Sequence, residues 1–90
     1  MPEITEELTV TNPQGLHARP AQELVRTVLR YQCECYISVN GYRVNAKSIM
    51  GVLTLAATHG TRLTITCEGD DAEEAIANLR RLFQTGFEGD

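Results

Sequence analysis

The sequence has no apolar run near the ~20 residues that a membrane-spanning helix needs, which excludes such a helix. It has no basic run either. Eight Lys and Arg residues are scattered against twelve Asp and Glu, for a net charge of −4. A nucleic-acid footprint is therefore not expected, while weak acidity favours solubility and suits a basic patch on a partner protein. The first residues, Met1-Pro2-Glu3-Ile4-Thr5-Glu6-Glu7, lack the apolar core of a signal peptide, so the chain is read as cytoplasmic. Cysteine is scarce and odd in number: Cys33, Cys35 and Cys67. Without a secretion signal, that argues against a disulfide framework. Cys33-Glu34-Cys35 also misses the usual Cys-x-x-Cys ligand spacing. The three are read as small core side chains, with no metal site and no role assigned. There is no Trp, but 42% of the residues are hydrophobic and 22% charged, an ordinary balance for a folded globule and not for a disordered chain. No internal repeat or linker is visible, so residues 1–90 are read as one domain with a core over about 4–84.

A chain of this size buries only about 60% of its unfolded surface, which favours one layer of helices on one sheet. Ile4 to Val10 alternates, with Ile4, Leu8 and Val10 on one face and Thr5, Glu7 and Thr9 on the other, as in a half-buried strand. From Ala18 to about Arg30, Ala21, Leu24, Val25, Val28 and Leu29 recur at helical spacing. Pro20 is tolerable only in a first turn, so it fixes this helix start near residue 18. Asn40-Gly41 stands between two alternating runs and marks a hairpin, since both residues accept positive φ. A two-residue loop pairs Val39 with Tyr42, Ile37 with Val44 and Cys35 with Ala46, and a one-residue slip would break that match. Ser48 reads as the N-cap of a helix over residues 49–57, with Val52, Leu55 and Ala56 toward the sheet. Ile49, Met50 and Leu53 lie on a different face and form a candidate docking patch. Gly60 then stops the helix, with His59 at the negative end of its dipole. Leu63, Ile65 and Cys67 alternate in a fourth strand. Asp70-Asp71 caps a last helix with Ala72, Ala75, Ile76, Leu79, Leu82 and Phe83 on one face, and residues 86–90 read as a frayed tail. Strand, helix, strand, strand, helix, strand, helix is an α+β two-layer sandwich with a mainly antiparallel sheet.

The chemistry gathers at Asn12-Pro13-Gln14-Gly15-Leu16-His17-Ala18-Arg19-Pro20, where turn signals end the first strand and the first helix begins. A helix start offers backbone N–H groups without intrahelical partners and the positive end of a dipole, which suits an anion. The neutral imidazole of His17 is a nucleophile near neutral pH, and Arg19 follows two residues later. Nucleophilic nitrogen, arginine and helix N-terminus together suit a phosphoryl group. The alternative is a solvated loop histidine.

The run from Asn12 to Ala21 resembles the active-site signature of the HPr family, the histidine-containing phosphocarriers of the phosphoenolpyruvate:sugar phosphotransferase system. Asn45-Ala46-Lys47-Ser48-Ile49-Met50-Gly51-Val52-Leu53 resembles that family's second signature, around a regulatory serine, and residues 69–75 are similar to the start of its last helix. The resemblance spans about residues 4–84. It implies an open-faced sandwich of order βαββαβα, with a four-stranded antiparallel sheet in order 1-4-2-3 under three helices. It implies that His17 takes a phosphoryl group on its δ nitrogen from Enzyme I and passes it to enzyme II A components. The chain would then be a covalent carrier and not an enzyme, with no cofactor. Arg19 would balance phosphate charge, the N–H groups of Ala18 and Arg19 would hold phosphate oxygens, and Leu16, Ile49, Met50 and Leu53 would dock partners. Ser48 matches the serine modified in some lineages by HPr kinase/phosphorylase, although a serine there also serves as a simple cap. A monomer is expected. Gln22, where a small residue is usual, and Cys33 and Cys35 depart from the family pattern.

Two other readings stand beside this one. A regulatory paralogue of the nitrogen-type system or of catabolite repression would use the same fold without feeding sugar transport. A small metal-binding module would use Cys33, Cys35, Cys67 and a histidine, at poor ligand spacing.

Overall fold

The computed structural model describes residues 2–89 and follows the element order read from the sequence: β1 (Glu3–Thr9), α1 (Ala18–Val28), β2 (Glu34–Val39), β3 (Tyr42–Asn45), α2 (Ile49–Thr54), β4 (Arg62–Glu68) and α3 (Ala72–Gln84). The four strands form one antiparallel sheet in order β1-β4-β2-β3, with the helices packed on one side. This is the α+β open-faced sandwich that the family resemblance implies.

Local chemistry explains most of the frame. Asn40 and Gly41 take φ of 51° and 85°, the two positive values that a tight hairpin needs, and Val39 pairs with Tyr42 and Ile37 with Val44. One step further the Ala46 N–H donates to the Cys35 carbonyl at 2.8 Å, so the expected register holds beyond the strand end. Leu8 faces Leu63, and Ile37 faces Ile65, across the sheet. Their side chains meet Leu24, Val28, Ile76, Leu79 and Phe83 from the helices in one core. The opposite sheet face carries Thr5 against Thr66 and the Arg43 guanidinium 4.0 Å above the Tyr36 ring.

Five features depart from the sequence reading. The helix expected over 49–57 ends at Thr54, because Ala56 takes a left-handed φ of 51° and lies exposed. His59 is therefore an exposed turn residue with no helix end to stabilise. Leu29 caps α1 on its solvent side and is 59% exposed instead of joining the core. Asp71 stands at the N-cap of α3 but makes no side-chain cap bond. Its carboxylate instead accepts the N–H groups of Gln32 and Cys33 at 2.8 and 2.9 Å. The expected frayed tail is a left-handed turn at Gly86–Gly89, in which buried Phe87 packs edge-on against Phe83 with ring centroids 5.1 Å apart. Asp90 lies outside the described residues.

One polar tie crosses the core edge. Glu6 shares a strand face with Ile4 and Leu8, yet its carboxylate takes both Arg80 Nε at 2.7 Å and Nη2 at 2.6 Å. This paired arrangement suits arginine geometry. The Arg80 hydrogen bonds hold the Glu6 carboxyl below its ordinary 4.5, and the Gln32 N–H bond chiefly holds Asp71 below its ordinary 3.8. On acidification the unfolded chain takes up these protons first. The stability from both groups is thus present above about pH 4.5 and lost as pH falls through their lowered folded values. Urea unfolding from about pH 5 to about pH 2 should show this acid limb. Glu6→Gln with Asp71→Asn should flatten it, and an unchanged slope would remove these two carboxylates from the explanation.

Candidate functional site

The His17 loop is built from backbone bonds on both sides. The buried Asn12 side chain donates to the Gly15 carbonyl at 2.6 Å, and the Gly15 N–H returns to the Asn12 carbonyl at 3.2 Å. Asn12 signalled only a turn in the sequence; its side chain is in fact an internal strut. The Leu16 N–H donates to the Ala57 carbonyl at 2.8 Å, tying the loop to the segment after α2. Gly15 holds φ at +71°, and a Cβ there would stand 2.4 Å from that same Ala57 oxygen. Only glycine fits this approach.

These ties bring His17 to the N-cap of α1, in extended conformation with φ −81° and ψ −168° and with no side-chain cap bond. Its carbonyl accepts the first helical bond from Ala21 at 3.0 Å. Ala18, Arg19 and Pro20 then occupy the first turn. The N–H groups of Ala18 and Arg19 have no intrahelical acceptor by position, and Pro20 has no N–H to lose. No acidic residue occupies this first turn, so the positive end of the helix is not neutralised there. His17 is half-exposed and Arg19 exposed. The turn therefore offers an imidazole beside an electropositive backbone, which suits attachment of an anionic group.

An apolar recess of about 410 Å³ opens beside the imidazole, with Ala18, Leu53, Ala56 and Thr58 on its walls. The larger recess, about 650 Å³, runs along α1 from Arg19 past Gln22 and Arg26 to Arg30, with Leu82 of α3 on its far wall. Net charge is negative over the whole chain, but three arginines and one glutamate, Glu23, line this recess, which starts two residues from His17.

The expected patch is only partly assembled as read. Met50 is 68% exposed, and Ile49 and Leu53 are half-buried, so α2 does present apolar surface beside the His17 loop. Leu16 is a correction. It is 3% exposed and packs in the core, because the Leu16–Ala57 backbone bond turns its side chain inward. It can floor the recess but offers little surface to a partner. Ser48 caps α2 as expected, with its Oγ accepting the Gly51 N–H at 3.0 Å. It lies five residues from Leu53, or about 8 Å along a helix. The three cysteines fall at the other end of the sheet from this loop, beyond the C-terminus of α1.

Fold and site together define a class: a small open-faced sandwich that presents a histidine at the mouth of its first helix. The model for the PTS HPr component phosphorylation site matches residues 4–85. The phosphocarrier protein HPr of Xylella fastidiosa (strain Temecula1 / ATCC 700964) is 45% identical over 87 residues, which cover 97% of this chain and 98% of that protein. The crystal structure of HPr-C-His from Thermoanaerobacter tengcongensis superposes with a TM-score of 0.90 at 38% identity, covering 100% of this chain and 99% of that one. An HPr dimer from the same organism superposes at 0.76 with 39% identity, covering 97% and 98%. The chain belongs to the HPr family of phosphocarriers of the phosphotransferase system.

Proposed function

We propose that this chain carries phosphoryl groups from Enzyme I to enzyme II A components in sugar uptake, with His17 as the covalent carrier. The observation that carries the reading is the position of His17 as an extended N-cap, half-exposed at the start of α1. A phosphoryl group on the imidazole δ nitrogen would lie where the Ala18 and Arg19 N–H groups and the helix dipole favour negative charge. The Arg19 guanidinium adds positive charge beside it. Transfer by in-line displacement needs positioning and charge balance more than covalent machinery. The chain is then a reactant passed between enzymes and not a catalyst itself, and it needs no cofactor.

Ile49, Met50 and Leu53 supply the apolar contact, and Arg19, Arg26 and Arg30 supply a charged flank for acidic partner surfaces. A small patch of this kind suits weak, rapidly exchanged partners. We place the chain in the cytoplasm as a monomer. Among the described residues no helix is long and apolar enough to cross a membrane, and light scattering in solution would decide between monomer and dimer.

Incubation with phosphoenolpyruvate and Enzyme I should add one acid-labile phosphoryl group, which a sugar-specific enzyme II A then removes. Transfer only to a nitrogen-type acceptor would move the chain to the regulatory branch of the family. No uptake from an Enzyme I that charges another HPr would reject the reading.

Ser48 is the proposed site for HPr kinase/phosphorylase. Phosphate there would sit at a helix N-cap, which tolerates it, while placing negative charge beside Met50 in the docking face. Asp is as good an N-cap as Ser, so Ser48→Asp should keep its thermal midpoint. It should accept phosphate from Enzyme I several-fold more slowly. An unchanged rate in a rapid-quench assay would rule out control by charge at this position.

A further inference from the structure

All three cysteines of the chain meet at one corner of the core. Cys35 and Cys67 are directly opposed on β2 and β4, with sulfurs 3.0 Å apart. Cys33 comes from the loop before β2 and puts its sulfur 3.6 Å from Cys35. The three sulfurs lie within 4.8 Å of one another, and the residues are at most 1% exposed. Linear spacing made this grouping look poor, because Cys67 arrives from the neighbouring strand.

The corner is held in place. Asp71 grips the Cys33 loop through the Gln32 and Cys33 N–H groups. Gly69, at φ +146°, backs so closely onto Cys33 that a Cβ would stand 2.8 Å from its Cα. A recess of about 400 Å³ between Gln32, Gly69, Asp70 and Asp71 reaches Cys33 and offers a way in. Contact with Cys67 and burial push the Cys35 thiol up, so a bound ion must displace its proton, and the Lys47 ammonium, which donates to the Tyr31 carbonyl at 3.0 Å, opposes that shift only in small part.

We propose that Cys33, Cys35 and Cys67 form a binding site for a soft monovalent ion, copper(I), held by three sulfurs. Buried thiolates select soft metals. With metal–sulfur bonds of about 2.3 Å, three coplanar sulfurs stand about 4.0 Å apart. The site reaches that geometry when Cys35 and Cys67 spread by about an ångström, a shift comparable with a side-chain adjustment. Zinc fits less well. A closed zinc site wants four ligands, and no fourth His, Cys, Asp or Glu joins this cluster among the described residues. The Asp71 carboxylate is already committed to backbone N–H groups. In binding, three S–H bonds break, three copper–sulfur bonds form and three protons leave for solvent. Copper stays monovalent and no electrons move. The Lys47 charge offsets part of the buried negative charge.

The test uses the full reduced chain without oxygen, titrated with copper(I) as its acetonitrile complex against a chromogenic copper(I) chelator. The chain should withdraw one equivalent, and X-ray absorption should count sulfur neighbours only, near 2.3 Å. Its thermal midpoint should rise with copper, since the ion binds the folded state. Cys33→Ala, Cys35→Val and Cys67→Val keep the corner apolar. Each should lower retention at least about 100-fold while giving native-like amide spectra. The proposal fails if copper uptake is unchanged in these variants, which would place the ion on exposed Met50 or a histidine. It fails equally if the folded, fully reduced chain takes up none.

Discussion

A His17→Ala protein should take up no phosphoryl group from phosphoenolpyruvate and Enzyme I while remaining folded. The loss should be complete, because no other described group stands where His17 does. His59 is the only other histidine, and it is exposed in a turn after α2 with no helix start beneath it. A native-like amide spectrum of the variant separates this loss from unfolding. The His17 imidazole makes no side-chain cap bond, so the substitution removes no helix-capping contact. The loop is held instead by Asn12, Gly15, Leu16 and Ala57, through bonds that an alanine side chain in place of the imidazole would leave intact. Intact mass after the reaction checks the outcome, with His59→Ala as the comparison that should still gain one acid-labile group. Uptake by the His17→Ala protein would place the chemistry on another residue. Loss in both variants would point to a shared docking defect.

Much of the frame could be read before any coordinates because its signals are local. Pro20 marks the first turn of α1 without reference to the rest of the chain, and Asn40-Gly41 marks both a hairpin and its register. Ser48 announces a cap that its own hydroxyl makes. What escaped was long-range. Leu55-Ala56-Ala57 are good helix formers, and nothing in them says stop. The helix ends there because the Ala57 carbonyl is needed by Leu16, far back in the chain, and Ala56 adopts φ 51° next to that contact. The same contact buries Leu16, which resemblance alone had put on the docking face. Phe87 looked like tail, yet a left-handed turn folds it onto Phe83. Nothing local joins Glu6 to Arg80, which meets it across seventy-four residues. Strand order, too, came from the resemblance, since periodicity does not record which strands are neighbours. The helix-mouth histidine was legible for the opposite reason. Its environment is set by the residues beside it, with Pro20 placing the helix and Gly15 placing the turn.

Replacing that glycine should be nearly as damaging as replacing the histidine, although Gly15 has no chemistry of its own. At φ +71° a β-branched residue is strained by about 1–3 kcal/mol. The new Cβ would also lie 2.4 Å from the Ala57 oxygen and 2.8 Å from the Thr58 Cα. Both are backbone atoms, so neither can swing aside as a side-chain tip would. The loop must move off the segment after α2, which pulls apart the Leu16–Ala57 bond and shifts His17, whose own N–H donates to the Gly15 carbonyl at 3.0 Å. A displacement of about 1 Å at a reacting group can cost about 100-fold in rate. Gly15→Val should therefore lower the rate of phosphoryl uptake by about 100-fold and stability by at least about 2 kcal/mol in urea unfolding. Gly41→Ala is the matched comparison. Its φ is also positive, at +85°, but nothing lies within 4 Å of the added Cβ. It should show only the left-handed strain, about 1–2 kcal/mol, and transfer phosphate normally. If the two variants lose stability equally and Gly15→Val still charges at the normal rate, the close approach to Ala57 does not position His17. If only Gly15→Val is slow while folded, backbone packing against the end of α2 sets the placement of the imidazole.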